Sequence, residues 1–271
     1  MKRILFNSTS FFLTILFVFG FTLRSCNKQE APELPPVSSM VMDFSDFQSD
    51  DQSAKKSTEA TYDNWSHAVG NVFAWNLITA FTMAVPVTVY SAMLDQTPVY
   101  LGNNEWQWNA VTTFGNSSYT GKLIGKRISN EEFTMEMYIT AAGIINYTDF
   151  LWFEGTVRYD HTHGLWTLNY NPDEPVELMS AEWNKDFETE AFNMKYTYLT
   201  SDSTEAGNWI EYDYNPANTD YNSSYTISGS DNTINIEWNN INKNGRIKDP
   251  VFYSDEQWYY WNELLQDYIP E

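Results

Sequence analysis

The sequence predicts a mainly β protein, an antiparallel meander of about nine or ten strands forming a barrel or strongly curved sheet, with a buried N-terminal helix and a C-terminal helix. Three observations carry this. From Glu105 onward apolar residues recur with a period of two, short turn-forming clusters separate those runs, and no Asp, Glu, Lys or Arg occurs between Asp63 and Asp95.

The chain opens with Lys2 and Arg3. After Asn7-Ser8-Thr9-Ser10 an apolar stretch runs from Phe11 to Phe21. That is short for a membrane crossing, which needs about 20 apolar residues, so residues 1–25 read as a signal peptide. The only cysteine follows in Leu23-Arg24-Ser25-Cys26. These residues resemble the lipobox of bacterial lipoproteins, in which a leucine and then a small residue precede the cysteine. Arg24 stands where a small or aliphatic residue is usual. The resemblance implies that the Cys26 thiol carries a diacylglyceryl lipid and that Cys26 becomes the first residue of the mature chain, anchored to a membrane. With its one thiol acylated, that chain has no disulfide, and its 271 − 25 = 246 residues must be held by their core alone.

Residues 26–62 read as a largely flexible tether. Asn27 to Pro36 is polar and proline-rich, and Ser45 to Thr61 is polar and charged. Between them Met40-Val41-Met42-Asp43-Phe44 has the composition of a first strand or a docking segment. Over about the first 45 residues the pattern resembles envelope lipoproteins of the Bacteroidota type. That resemblance implies the outer membrane. Lys28-Gln29-Glu30 partly matches the lysine-then-acid mark of surface export, so the periplasmic and surface faces both stay open.

Residues 63–271 form a single β-rich domain that begins with the apolar helix 63–95. Ala68, Val69, Val72, Phe73, Trp75, Leu77, Ile78, Ala80 and Phe81 cover most of a helical circumference, which points to burial. Asp63 or Ser66 can cap its start. Pro86 is expected to break it, leaving Val85 to Leu94 as a second short helix or a strand. Asn71, Asn76, Thr79 and Thr82, spread through the segment, favour a core helix over a membrane crossing.

The strands follow. Trp106, Trp108 and Ala110 alternate with polar residues, as do Phe133, Met135, Met137 and Ile139. Phe192, Met194, Tyr196 and Tyr198 repeat the pattern, and so do Ile234, Ile236 and Trp238. Clusters such as Gly115-Asn116, Ser129-Asn130, Asn171-Pro172-Asp173, Asn215-Pro216 and Gly229-Ser230-Asp231-Asn232 are turn chemistry. Short connections join antiparallel neighbours. A transmembrane β-barrel is disfavoured because most runs are shorter than its strands, of about 9–11 residues. At the end Ser254-Asp255-Glu256-Gln257 has the pattern of a capping box, and Trp258, Trp261, Leu264 and Leu265 fall at helical spacing, which predicts a helix over 254–267.

Few residues carry chemistry. His161 and His163, with Asp160, are the best metal candidates, but a structural zinc site wants four ligands and no others can be named. The acidic loops at Asp173-Glu174 and at Ser201 to Glu205 lack the regular spacing of a calcium hand. Glu154, between Trp152 and Thr156 on one strand face, is the most interesting carboxylate for a hydrolytic pair. There is no serine triad signal, nucleophile elbow or phosphate-cradling glycine loop, so no catalytic residue and no cofactor is assigned and the chain reads as a non-enzyme.

The formal charge is −21, and removing Lys2, Arg3 and Arg24 with the leader gives −21 − 3 = −24. Such a field disfavours nucleic acid and anionic membrane surfaces. Two functions fit. One is an envelope binding module holding an apolar small molecule or a glycan, which calls for a cavity with convergent polar groups. The other is an accessory or structural lipoprotein binding another envelope protein, which calls for an exposed apolar patch.

Overall fold

A computed structural model of the chain describes residues 30–47, 60–201 and 203–270. The signal peptide, Cys26 and Asp202 lie outside the described residues. Fourteen strands form one antiparallel sheet whose spatial order is the chain order. They are β1 (Val99–Gly102), β2 (Glu105–Phe114), β3 (Ser117–Arg127), β4 (Glu132–Ala142), β5 (Tyr147–Arg158), β6 (His163–Asn171), β7 (Glu174–Lys185), β8 (Phe192–Tyr198), β9 (Trp209–Tyr214), β10 (Ser223–Ser228), β11 (Thr233–Trp238), β12 (Gly245–Lys248), β13 (Tyr259–Trp261) and β14 (Asp267–Tyr268).

The expected meander is present, with a higher strand count and no closure into a barrel. Strands β1, β12, β13 and β14 hold only two to four residues each, too few to show a period in sequence. The two end strands, β1 and β14, do not pair with each other. Within the long strands the alternation is as expected. Phe133, Met135, Met137 and Ile139 are buried, as are Trp106, Trp108, Ile236 and Trp238. On the opposite face Glu182, Lys195 and Glu211 lie side by side across β7, β8 and β9. Alternating signs directly opposite one another suit a solvated face.

Glycine under tryptophan explains how so aromatic a sheet bends. A Cβ added to Gly125 would lie 2.9 Å from the Trp108 ring, at Gly155 2.5 Å from Trp166, at Gly164 2.5 Å from Trp183 and at Gly245 2.3 Å from Trp261. Each indole lies over backbone that has no side chain, on the neighbouring strand. This packs a large ring close to the sheet and permits curvature there.

One helix, α1 (Asp63–Leu94), lies against this sheet. Its contacts are with β2 and β3 on one side of the curl and with β12, β13 and β14 on the other. A single helix therefore bridges the two ends of the open sheet. A Cβ at Gly121 would meet Val89 Cγ1 at 2.2 Å and Met93 Cε at 2.3 Å, so β3 admits the helix only because that position is glycine. The buried seam runs through Trp65, Ala68, Val72, Trp75, Thr79, Met83, Pro86, Val89 and Met93. The expected break at Pro86 does not occur. Proline removes one intrahelical hydrogen bond, and Val89, Tyr90 and Met93 beyond it are all buried. Four hydroxyls of the helix are satisfied within it. Thr79 donates to the Trp75 carbonyl, Thr82 to that of Ile78, Thr88 to that of Ala84 and Ser91 to that of Val87. Burial is confined to that seam, so the expectation of a helix apolar and buried all round holds for one side only. The start of the helix is capped from far along the chain. The Asp267 carboxylate accepts from the backbone N–H of Asp63 and of Asn64, both at 3.0 Å.

The reading of 26–62 as a largely flexible tether is corrected for its described part. Residues 32–47, with single-turn 3-10 helices at Val37–Ser39 and Ser45–Phe47, dock onto the concave face. Met40, Met42, Phe44 and Phe47 are buried. Tyr196 Oη accepts from the Met42 N–H at 2.7 Å and donates to the Met40 carbonyl at 2.8 Å. Tyr90 Oη donates to the Pro35 carbonyl at 2.7 Å, and Tyr225 Oη to that of Asp43. Three buried phenols thus hold the segment by its backbone, which is why so polar a sequence is ordered. Burial raises the pKa of all three, so they stay protonated.

The C-terminal helix expected over 254–267 is replaced by α2 (Pro250–Tyr253), a single turn, followed by β13 and β14. Asp249 caps α2, and Ser254 ends it in the left-handed conformation at φ 61°. The capping-box pattern at Ser254 is overridden by Trp261. That side chain is buried on Gly245 of β12 and donates from Nε1 to the Lys243 carbonyl at 2.8 Å. A strand brings it there.

Candidate functional site

In a meander alternate connections fall on one end of the sheet. The β9–β10, β11–β12 and β13–β14 loops therefore share a rim, and the first two are built by asparagine. Asn239 Oδ1 accepts from the N–H of Ile241 and of Asn242, both at 3.0 Å, closing its own turn. Its Nδ2 donates to the Thr219 carbonyl at 3.0 Å, tying that turn to the β9–β10 loop. Asn222 Nδ2 donates to Asn240 Oδ1 at 2.8 Å and fixes the same pair of loops. In the β13–β14 loop Asn262 Oδ1 accepts from the N–H of Leu264 and of Gln266.

These loops enclose an open cleft of about 660 Å³ whose lining includes Asp220, Tyr221, Asn242, Asn244, Glu263 and Tyr268. Among the described residues the Asn242 and Asn244 carboxamides have no hydrogen-bond partner. Tyr268 packs edge-on to Tyr260 at 5.9 Å. Behind Tyr221, Arg246 stacks with its guanidinium 4.6 Å from that ring and 4.3 Å from the Trp258 ring. Its charge is engaged by Glu237, with Nε 2.8 Å from Oε2. Burial, and after it the neighbouring Tyr268, push the Tyr221 phenol up, so it remains a neutral donor and acceptor. A second groove, which includes Trp258, Tyr259, Tyr260 and Ile269, adjoins the first and shares Tyr268 with it. The site offers aromatic faces and free carboxamides, with two solvent-exposed carboxylates, Asp220 and Glu263, at its border.

No protein-family model, curated protein or solved structure matches this chain. Its function is to be read from the site.

The residues singled out in the sequence lie elsewhere. His161, at φ 53° in the β5–β6 turn, donates to the Glu33 carbonyl at 3.1 Å, and His163 bonds the Asn184 carboxamide at 2.9 Å. Asp160 is held below the usual carboxylate range, first by the Thr162 hydroxyl and then by its backbone N–H and by Arg158. Each imidazole has its own partner, and among the described residues no group of three or more His, Cys, Asp or Glu could hold a metal ion. Asp173 and Glu174 lie at the β6–β7 turn. Glu154 is exposed and stands opposite Glu136 of β4 on the solvated face, away from the cleft.

His67 is the histidine sequence reasoning passed over, because its partner is 182 residues away. Its Nε2 lies 2.7 Å from Asp249 Oδ2, and its ring stacks on Phe252 at 3.7 Å. Asp249 Oδ1 also accepts from Asn232 Nδ2 at 2.8 Å and from the N–H of Val251 and of Phe252. Burial alone would push this carboxyl up. The hydrogen bonds from Asn232, His67 and Phe252 outweigh it and hold the pKa below the ordinary value. The latch joins α1 to β12. Its stabilisation is complete above the unfolded carboxylate pKa of about 3.9 and is lost as pH falls through the lower folded value. Asp249→Asn is expected to cost about 1–3 kcal/mol at neutral pH. In urea titrations repeated down the pH scale, the gap to the parent chain should close below about pH 4. A gap independent of pH would show that the carboxylate charge contributes nothing.

Proposed function

We propose that this chain is a non-enzymatic lipoprotein of the outer membrane, anchored through Cys26, that binds a neutral glycan in the cleft between the β9–β10, β11–β12 and β13–β14 loops. The observation that carries the reading is the convergence of Tyr221, Tyr268, Asn242 and Asn244 in one open cleft. Sugars present apolar ring faces that stack on aromatics and hydroxyls that pair with carboxamides. Asp220 and Glu263 repel uronic acids and phosphorylated sugars, and Arg246 is already paired with Glu237. Both border carboxylates are solvent-exposed, whereas hydrolysis needs one acid desolvated enough to stay protonated. The concave face is filled by Met40, Met42, Phe44 and Phe47, which leaves no room there for an apolar ligand.

The test is a panel of immobilised neutral oligosaccharides (gluco-, manno-, xylo- and N-acetylglucosamine series) set beside uronic acid oligomers. Binding to one or more neutral members is expected, with none to the acidic ones. Tyr221→Ala and Tyr268→Ala should each weaken it about tenfold or more, equivalent to about 1.4 kcal/mol, without unfolding the chain. Failure to bind any glycan would leave the accessory role, binding to another envelope protein, as the better reading, since α1 exposes an apolar stripe.

A further inference from the structure

The cleft continues beyond its own rim. The adjoining groove, of about 500 Å³, meets it at Tyr268 and is also open. Asp267 is the charged residue of its described lining, and that carboxylate is taken up by the Asp63 and Asn64 N–H groups of α1. The Asn64 carboxamide is engaged as well, donating to the Tyr260 carbonyl and accepting from the Tyr253 hydroxyl. Tyr259 is stacked on Tyr253 at 3.6 Å, and its hydroxyl donates to Asp255. What the groove has left to offer is neutral: the Trp258 and Tyr260 rings, and the exposed Gln257 carboxamide, which has no hydrogen-bond partner among the described residues.

The register of the last strands aligns the two grooves. Arg246 of β12 stands opposite Tyr260 of β13, and Tyr260 opposite Tyr268 of β14. Residues directly opposite share one face of the sheet, so these side chains form a row across the strands at a step of about 4.8 Å. Trp258 precedes Tyr260 by two residues, which puts it on the same face. It stacks on Arg246, as Tyr221 does, so one guanidinium supports a ring from each groove. A pyranose ring advances an extended glycan by nearly the same step as one strand advances the sheet. Resting on the glycan reading of the first cleft, we propose that the bound glycan is a linear, extended chain that crosses Tyr268 and continues along the second groove, where one sugar stacks on Trp258 and its hydroxyls pair with Gln257. Short oligomers fill the first cleft alone, so affinity grows with chain length until both grooves are occupied.

Calorimetric titration of the full chain with di-, tetra- and hexasaccharides of the neutral gluco-, manno-, xylo- and N-acetylglucosamine series tests this. For the series that binds, the hexamer should bind about tenfold or more tighter than the dimer. The ratio is then measured within each variant. Trp258→Ala should reduce it to a few-fold, the gain that comes only from having more ways to place a longer chain. Gln257→Ala, which removes an exposed side chain and leaves the fold intact, should reduce it several-fold. Dimer and hexamer binding within a few-fold of each other in the parent chain would overturn the extended site and leave the glycan reading of the first cleft standing. A length gain that survives both substitutions would overturn it too, because the chain would then leave the cleft by another path. No heat from any length of any series would overturn both readings.

Discussion

A chain that begins after Phe47 is expected not to reach the native state. Met40, Met42, Phe44 and Phe47 are all buried against the sheet and α1. At about 1.5–3 kcal/mol for each fully buried side chain, their loss removes about 6–12 kcal/mol. Tyr196, Tyr90 and Tyr225 would also lose the backbone carbonyls to which their hydroxyls donate. Total stabilities of about 5–15 kcal/mol leave little margin against such a loss. Far-ultraviolet circular dichroism with urea titration checks this. The shortened chain should show no cooperative transition, whereas a chain requiring only a tether there would unfold as the full-length one does.

Trp261→Ala should be the most damaging single substitution at the C-terminal end. The side chain is fully buried, lies over Gly245, packs edge-on to Trp65 of α1 at 5.5 Å and satisfies the Lys243 carbonyl. Removing a buried tryptophan costs about 3–5 kcal/mol. The partner glycine supplies the converse test. A Cβ at Gly245 would lie 2.3 Å from Trp261 Cζ2 and 2.5 Å from the Glu237 carbonyl, and the backbone atom cannot give way. Gly245→Ala should therefore destabilise by a comparable amount through overpacking. Equilibrium unfolding of both variants measures the two costs. A Gly245→Ala chain as stable as the parent would refute the glycine–tryptophan account of the curvature.

These residues also show where the sequence was readable. A strand such as β4 announces itself because its length allows four buried residues, Phe133 to Ile139, to alternate with polar ones. β13 and β14 hold too few residues for any period, and the Trp258, Trp261, Leu264, Leu265 spacing imitates a helix. What decides for strands is Gly245, on a different strand, which makes room for Trp261. The docked segment was hidden for a related reason. Its order comes from three tyrosines at least 55 residues away that grip its backbone, and backbone carries no sequence signal. The helix was legible as apolar and uncharged, but not which side is buried, because apolar residues cover most of its circumference. The cleft left one trace, the density of asparagine in Asn239-Asn240-Ile241-Asn242-Lys243-Asn244. Its aromatic members, Tyr221 of the β9–β10 loop and Tyr268 of β14, are brought together only by the meander.

The measurement closest to the central claim is calorimetric titration of the parent chain and the Tyr221→Ala/Tyr268→Ala double variant with a neutral oligosaccharide that the panel retains. The account predicts saturable binding by the parent, unaffected by added salt because no ion pair forms, and loss of heat in a double variant whose unfolding curve matches the parent. Equal binding by both chains would place the glycan outside this cleft and contradict the account.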